Sequence, residues 1–221
     1  SNLFHLDCVF CQNPDISHST AGRAVPPEPL ADLMLELQNH GCENVNVVTP
    51  SHVAHAVARA IDLARGRGLT VPTVYNTGGY DAVDTLRRLD GLIDVYMPDF
   101  KWADADAAET YSGAADYPRV ATAALAEMVR QVGPLALDGR RVARHGVLVR
   151  HLVMPGDLAG SRRVIDLVAE TAPGCAINVM GQYRPAFRAR EFPELLARPD
   201  YGEVQALRQY AAHRGLVRVD H

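Results

Sequence analysis

Two hydrophobic periods take turns along this chain. Leu30, Leu33, Met34 and Leu37 recur at helical spacing, which predicts an amphipathic helix opening at Glu28-Pro29 and ending at His40-Gly41. The stretch 44–48, with valines at 45, 47 and 48 between asparagines, then reads as a short strand closed by Thr49-Pro50. Val53, Val57, Ile61 and Leu63 return to helical spacing until Gly66 and Gly68 interrupt it. The same pair of signals repeats downstream. Strand 73–75 runs into the turn Asn76-Thr77-Gly78-Gly79, helix 80–89 follows, and strand 93–97 ends at Pro98-Asp99. Helices are expected at 104–111 and 119–132. The most apolar strand, 147–154, is stopped by Pro155-Gly156; helix 158–171, strand 176–180, helix 203–212 and an extended 216–219 complete the chain. Between 133 and 146 lies an inserted loop with Asp138-Gly139 at its centre, a hairpin signal.

Strand alternating with helix predicts βαβ units around a parallel sheet. Roughly five strands, or about six with a completed first one, are too few for a closed eight-stranded barrel and suit a partial one. The fold class is therefore α/β, a partial (β/α)6 TIM-like barrel, with residues 1–221 as one domain whose first strand is incomplete. At 221 residues the chain is long enough to bury a substantial core.

A net charge of -4 gives no general attraction to nucleic acid or to an anionic membrane. No apolar run is long enough to cross a bilayer, and no signal-peptide pattern is present. Cys8, Cys11, Cys42 and Cys175 do not form a disulfide framework, since only the first two are close in sequence. Cys42 and Cys175 each sit beside a strand start and read as small core thiols. A reducing, cytoplasmic setting is the expectation.

Candidate chemistry lies in two places. Cys8 and Cys11, two residues apart, put two sulfurs on one tight loop, where they can bind a single metal or one edge of a cluster. Parallel α/β folds build their sites at the carboxyl ends of strands. Thr49, Ser51, Asn76, Asp99, Lys101, His151, Gln182 and Tyr183 fall at those ends. Each also has a structural reading: Ser51 as a helix cap, Asn76 satisfying its turn, His151 as a hydrogen-bonded core residue, Lys101 as a solvated rim charge. Their shared placement favours a site.

The run CVFCQNPDISH, from Cys8 to His18, resembles the cluster loop of radical S-adenosylmethionine (SAM) enzymes, in the branch of the pyruvate formate-lyase activating enzyme. That loop has CxxxCxxC spacing, with an aromatic residue before the last cysteine, here Phe10. Later segments resemble the family in order: 44–52, Val74 with Tyr75-Asn76-Thr77-Gly78-Gly79-Tyr80, Met97-Pro98-Asp99-Phe100-Lys101, 149–156, and Met180-Gly181-Gln182-Tyr183. Thr49-Pro50-Ser51 stands where many members carry Gly-Gly-Glu. Phe4 stands where the family's first cluster cysteine belongs, and it cannot ligate iron; the expectation is an omission near this position rather than a lost ligand.

The resemblance implies a [4Fe–4S] cluster, with Cys8 and Cys11 among its ligands, and SAM bound at the open iron. Reductive cleavage of SAM would give a 5′-deoxyadenosyl radical for hydrogen abstraction. Phe10 would approach the adenine, while Thr49, Ser51, Asn76, Asp99, Lys101, His151 and Gln182 would hold the rest of the cofactor. The implied partners are a glycyl radical enzyme or another protein or peptide substrate, and an electron donor such as flavodoxin or ferredoxin. Two other readings stay open. His5, Cys8, Cys11 and His18 could form a Cys2His2 zinc site; or, if Phe4 is the true residue, the chain could be a noncatalytic barrel.

Overall fold

A computed structural model describes residues 6–17 and 23–219. After the thiol loop and a single helical turn, α1 (Pro14–Ser17), the elements run α2 (Pro27–Asn39), β1 (Val45–Val48), α3 (Ala54–Gly66), β2 (Thr73–Thr77), α4 (Val83–Arg87), β3 (Val95–Pro98), α5 (Ala105–Ser112) and α6 (Tyr117–Val132). Then come β4 (Ala136–Leu137), β5 (Ala143–Leu152), α7 (Ser161–Thr171), β6 (Ala176–Met180), α8 (Tyr201–His213) and β7 (Val217–Arg218).

The sheet follows chain order, β1-β2-β3-β5-β6-β7, and every pair on this path is parallel. Among the described residues only β4 is antiparallel, paired with β5. This is the expected α/β partial barrel, a sheet whose described strands do not close between β1 and β7. The 133–146 insertion is indeed a hairpin, its turn fixed by bonds from Asp138 N–H to Val142 C=O and from Arg141 N–H to Asp138 C=O. Gly146, where this hairpin joins the sheet, has φ +114°, and a Cβ there would lie 2.2 Å from Pro134 O. Glycine is required at that crossing.

Two helices differ from the sequence reading. In α2 the buried residues are Ala31 and Met34, while Leu33 and Leu37 stay 48% and 43% exposed. α2 packs mainly on α3 and to a lesser extent on β1 at the edge of the sheet, so it buries a narrow stripe. The expected helix 80–89 is reduced to α4, because Asp81 is drawn into the interior by three hydroxyl partners before the helix begins.

The core is one cluster of apolar side chains between sheet and helices, with Trp102, Tyr75, Tyr96, Tyr117 and Tyr183 among its largest buried members. Tyr75 and Tyr96, on neighbouring strands, meet edge to face at 5.6 Å between ring centroids. Cys175 is buried at the amino end of β6, and Cys42 lies just before β1. No helix among the described residues is long and apolar enough to cross a membrane.

Candidate cluster and cofactor cavity

The Cys8–Cys11 loop is closed by a bond from Cys11 N–H to Cys8 C=O at 3.1 Å. It is fixed to the end of α5, where Asp7 N–H donates to Ser112 C=O and Val9 N–H to Tyr111 C=O. Between the thiols, Val9 and Phe10 are buried. Phe10 meets Trp102 and Tyr183 edge-on, at centroid distances of 5.7 and 6.2 Å. Gln12 ties the loop to the end of β6: its amide donates to Arg184 C=O, and Arg184 Nε donates back to its Oε1 at 2.8 Å.

The loop forms one wall of a cavity of about 870 Å³ at the carboxyl ends of the strands. Cys8, Cys11 and Phe10 line it together with Thr49 and Ser51 after β1, Asn76 on β2, Asp99 and Lys101 after β3, Arg150 on β5, and Gln182 and Tyr183 after β6. A hydrophobic lining with a few convergent polar groups is the usual character of a small-molecule site.

His151 does not join them. It is fully buried, with Nδ1 2.7 Å from Phe100 O and Nε2 3.0 Å from Ser161 Oγ at the start of α7. A carbonyl can only accept, so Nδ1 carries the proton and Nε2 accepts from the hydroxyl. Burial pushes this imidazole down to about 4. The expectation that it faces the cavity fails on strand alternation: successive residues of β5 point to opposite faces. Arg150 and Leu152 take the cavity face, leaving His151 on the helix side.

Arg150, which the sequence reading passed over, holds the centre of the site. Its Nε donates to Asp99 Oδ1 at 2.9 Å and its Nη2 to Asn76 Oδ1 at 2.7 Å. Lys101 Nζ donates to the other carboxylate oxygen at 2.6 Å. Burial works against the Asp99 carboxylate, but Lys101 and Arg150 outweigh it and hold its pKa below the usual range. Burial also opposes charge on Lys101, and Asp99 with Cys8 more than restores it. Two cations facing one carboxylate leave this group positive beside the thiols. Burial raises the Cys8 thiol, with Lys101 and Ser112 working the other way.

On the β1–β2 side the hub is Asp81, only 2% exposed. It accepts from Ser51 Oγ and Thr77 Oγ1, each at 2.5 Å, and from Tyr75 OH at 3.0 Å. Ser51 thus makes no cap bond; its hydrogen is spent on Asp81, and its oxygen faces the cavity as an acceptor. Thr49 has φ +49°, uncommon for a β-branched residue, and its N–H bonds Asn76 C=O at 2.6 Å. Such strain is held only where surrounding bonds over-determine it. Asp81 has no sequence signal beyond its place after a Gly-Gly turn.

The donor chemistry at the thiols fits one edge of an iron–sulfur cluster: two sulfurs on one turn, facing a cavity with cations nearby. Among the described residues no three His, Cys, Asp or Glu are grouped to hold a metal ion. Phe4, His5 and His18, on which the third ligand position and the zinc alternative depend, lie outside the described residues. Cys42 and Cys175 do not line the cavity.

No known family profile matches the chain. An uncharacterized protein of Methanocaldococcus jannaschii is 28% identical over 209 residues, covering 91% of this chain and 57% of that protein. In structure, SuiB of Streptococcus suis bound to S-adenosylmethionine aligns with a TM-score of 0.68 at 12% identity, over 100% of this chain and 48% of SuiB. A radical SAM methyltransferase from Sphaerobacter thermophilus aligns at 0.67 and 16% identity, over 99% and 63%. The fold is that of radical SAM enzymes. A domain of a pyruvate-formate lyase-activating enzyme from Bacteroides vulgatus aligns at 0.55 and 9% identity, over 80% and 97%. SuiB has also been crystallised with its precursor peptide SuiA, with 47% of that chain covered. The present chain therefore spans little more than half of its curated relative and about half of SuiB.

Proposed function

We propose that this chain is the core of a radical SAM enzyme, with Cys8 and Cys11 as ligands of a [4Fe–4S] cluster and the adjoining cavity as the SAM site. The observation that carries the reading is the single cavity in which both thiols meet polar groups from the ends of five strands. Cys8 and Cys11 would hold the cluster, which when bound would supply the electron for reductive cleavage of SAM and so for hydrogen abstraction from a substrate. The chain's own residues bind, orient and exclude water.

Phe10 offers a ring edge to the adenine. Ser51 and Thr49 present acceptors to the ammonium, replacing the Gly-Gly-Glu of other members. Arg150 and Lys101 attract the carboxylate, while Asn76, Asp99 and Gln182 orient hydroxyls. His151 is excluded from that set and serves as a neutral brace between β5 and α7.

The substrate class favoured is a peptide or protein segment, supported by the fold shared with a peptide-binding enzyme. A glycine of a partner glycyl radical enzyme is the narrower version, resting on the sequence resemblance of the loop. An electron donor such as flavodoxin or ferredoxin and a cytoplasmic setting complete the proposal. The test is anaerobic reconstitution with iron and sulfide, then dithionite and SAM. Formation of 5′-deoxyadenosine that disappears in Cys8→Ser and Cys11→Ser supports the reading. Zinc uptake without labile sulfide would instead favour a metal-stapled or noncatalytic domain.

A further inference from the structure

Ser112 sits between two groups whose hydrogen-bond roles are fixed. Trp102 Nε1 lies 2.8 Å from Ser112 Oγ, and an indole nitrogen can only donate. The serine oxygen is therefore the acceptor in that bond. The same oxygen is 3.1 Å from Cys8 Sγ. Both Ser112 and Trp102 are buried, 1% and 0% exposed. A hydroxyl has one hydrogen, and Cys8 Sγ is the partner positioned to receive it. A cysteine that ligates iron carries no proton, so in that state the bond has one possible direction, from Ser112 to sulfur.

The backbone holds this geometry in register. Asp7 N–H donates to the C=O of Ser112 itself at 3.1 Å, and Val9 N–H to Tyr111 C=O at 3.0 Å. Both flanks of Cys8 are thus pinned to the last turn of α5, which ends at Gly113 in the left-handed region, φ +66°. Phe10 packs against the same indole, edge to face with ring centroids 5.7 Å apart. Neither Ser112 nor Trp102 lines the cavity, so substrate and cofactor binding do not account for the pairing.

We propose that Ser112, aimed by Trp102, donates a hydrogen bond to the ligand sulfur of Cys8 and thereby raises the reduction potential of the cluster held there. Ser112 is then a positioning residue for electron entry; the inference rests on the iron–sulfur reading above. The redox step is the uptake of one electron, [4Fe–4S]2+ to [4Fe–4S]+, from a one-electron reductant, with no bond made or broken. Added negative charge spreads onto the sulfurs, so a donor aimed at Sγ favours the reduced state, and hydrogen bonds to sulfur are an established lever on such potentials.

The experiment compares midpoint potentials in dithionite titrations of the reconstituted chain, followed by electron paramagnetic resonance. Ser112→Ala is expected to shift the midpoint to lower potential with iron and sulfide content unchanged, and Ser112→Thr, which keeps the hydroxyl, to restore it. Ser112→Ala alone leaves the indole N–H unpaired in the interior. The double variant Trp102→Phe/Ser112→Ala removes both polar ends and is expected to show the same shift. Equal midpoints in the parent and both Ala variants would overturn the proposal. The same chain loaded with Co2+ alone gives a second readout. Loss of the donor should move the sulfur-to-cobalt charge-transfer band to longer wavelength, and an unmoved band overturns the proposal as well. A parent that binds Co2+ with this band but assembles no cluster would sink the radical SAM reading, leaving the Ser112–Cys8 bond to be decided by the band.

Discussion

Arg150 and Asp99 are joined through two guanidinium nitrogens, Nε at 2.9 Å and Nη2 at 2.8 Å from Oδ1, while the same Nη2 reaches Asn76 Oδ1 at 2.7 Å. One side chain thus sets the orientation of polar groups from two other strand ends, and it does so at the cavity wall. Arg150→Met keeps much of the aliphatic stem but releases Asn76, leaves Asp99 held by Lys101 alone and removes one positive charge. SAM affinity should fall about tenfold to a hundredfold, the roughly 1.5–3 kcal/mol of a lost charged contact. Calorimetry on reconstituted protein checks this, with His151→Gln as the control expected to bind like the parent. Equal affinity in Arg150→Met, or a comparable loss in the control, contradicts the assignment.

The buried imidazole of His151 makes a pH prediction. Its pKa is pushed down to about 4, from an ordinary value of 6.5, mainly by burial. Between those values the unfolded chain binds a proton that the folded chain refuses, so stability rises with pH across the window and falls as pH drops from about 6.5 toward 4. A shift of this size corresponds to about 3 kcal/mol. Urea unfolding between pH 4 and 7 should show this slope, and His151→Gln should flatten it. A parent and variant with parallel profiles would remove His151 as the cause.

Strand alternation and the separation of sequence neighbours explain what the sequence does and does not disclose. The parallel order of strands follows from apolar runs ending in turn residues, and those ends do converge on one cavity. Which neighbour faces inward is harder to read. In Arg150-His151 both side chains are polar, and a strand-end histidine attracts attention, yet the pleat gives the cavity to arginine. Asp81 and Ser112 carry no local signal for another reason: their meaning lies in partners from other segments, Ser51 and Tyr75 for the first, Cys8 and Trp102 for the second. Gly79, by contrast, is legible from its turn.

That glycine carries its own prediction. Gly79 has φ +80°, and a Cβ would lie 2.1 Å from Asp99 O and 3.1 Å from Tyr117 OH. The tyrosine hydroxyl accepts from Lys101 N–H at 2.9 Å and lies 2.9 Å from Gly78 O, so it stitches the loops after β2 and β3 together. Gly79→Ala should destabilise the fold by more than about 2 kcal/mol, from backbone strain plus overpacking. It should also displace Asp99 and so weaken SAM binding. Denaturation midpoint and calorimetry together test this; an alanine variant as stable as the parent would mean the turn relaxes freely.

The remaining thiols test the metal assignment. Cys175 is buried with its sulfur near Val147 O and Ala176 O, and burial pushes its pKa up to about 11. What separates it from Cys8, whose thiol burial also raises, is position: Cys175 does not line the cavity that Cys8 and Cys11 share. Cys42 follows the end of α2, its N–H bonded to Leu37 C=O, and it is absent from the cavity wall. The double variant Cys42→Ser/Cys175→Ser should therefore keep the iron and sulfide content of the parent after reconstitution, whereas Cys8→Ser and Cys11→Ser should each lose most of it. Some loss of stability is expected from Cys175→Ser, roughly 1–3 kcal/mol for a hydroxyl placed in an apolar pocket, so metal content must be compared on folded protein of equal concentration. A proportional fall in iron in the double variant would show that one of these distant cysteines reaches the cluster, and would require the loop before β1 or the start of β6 to move to the strand ends.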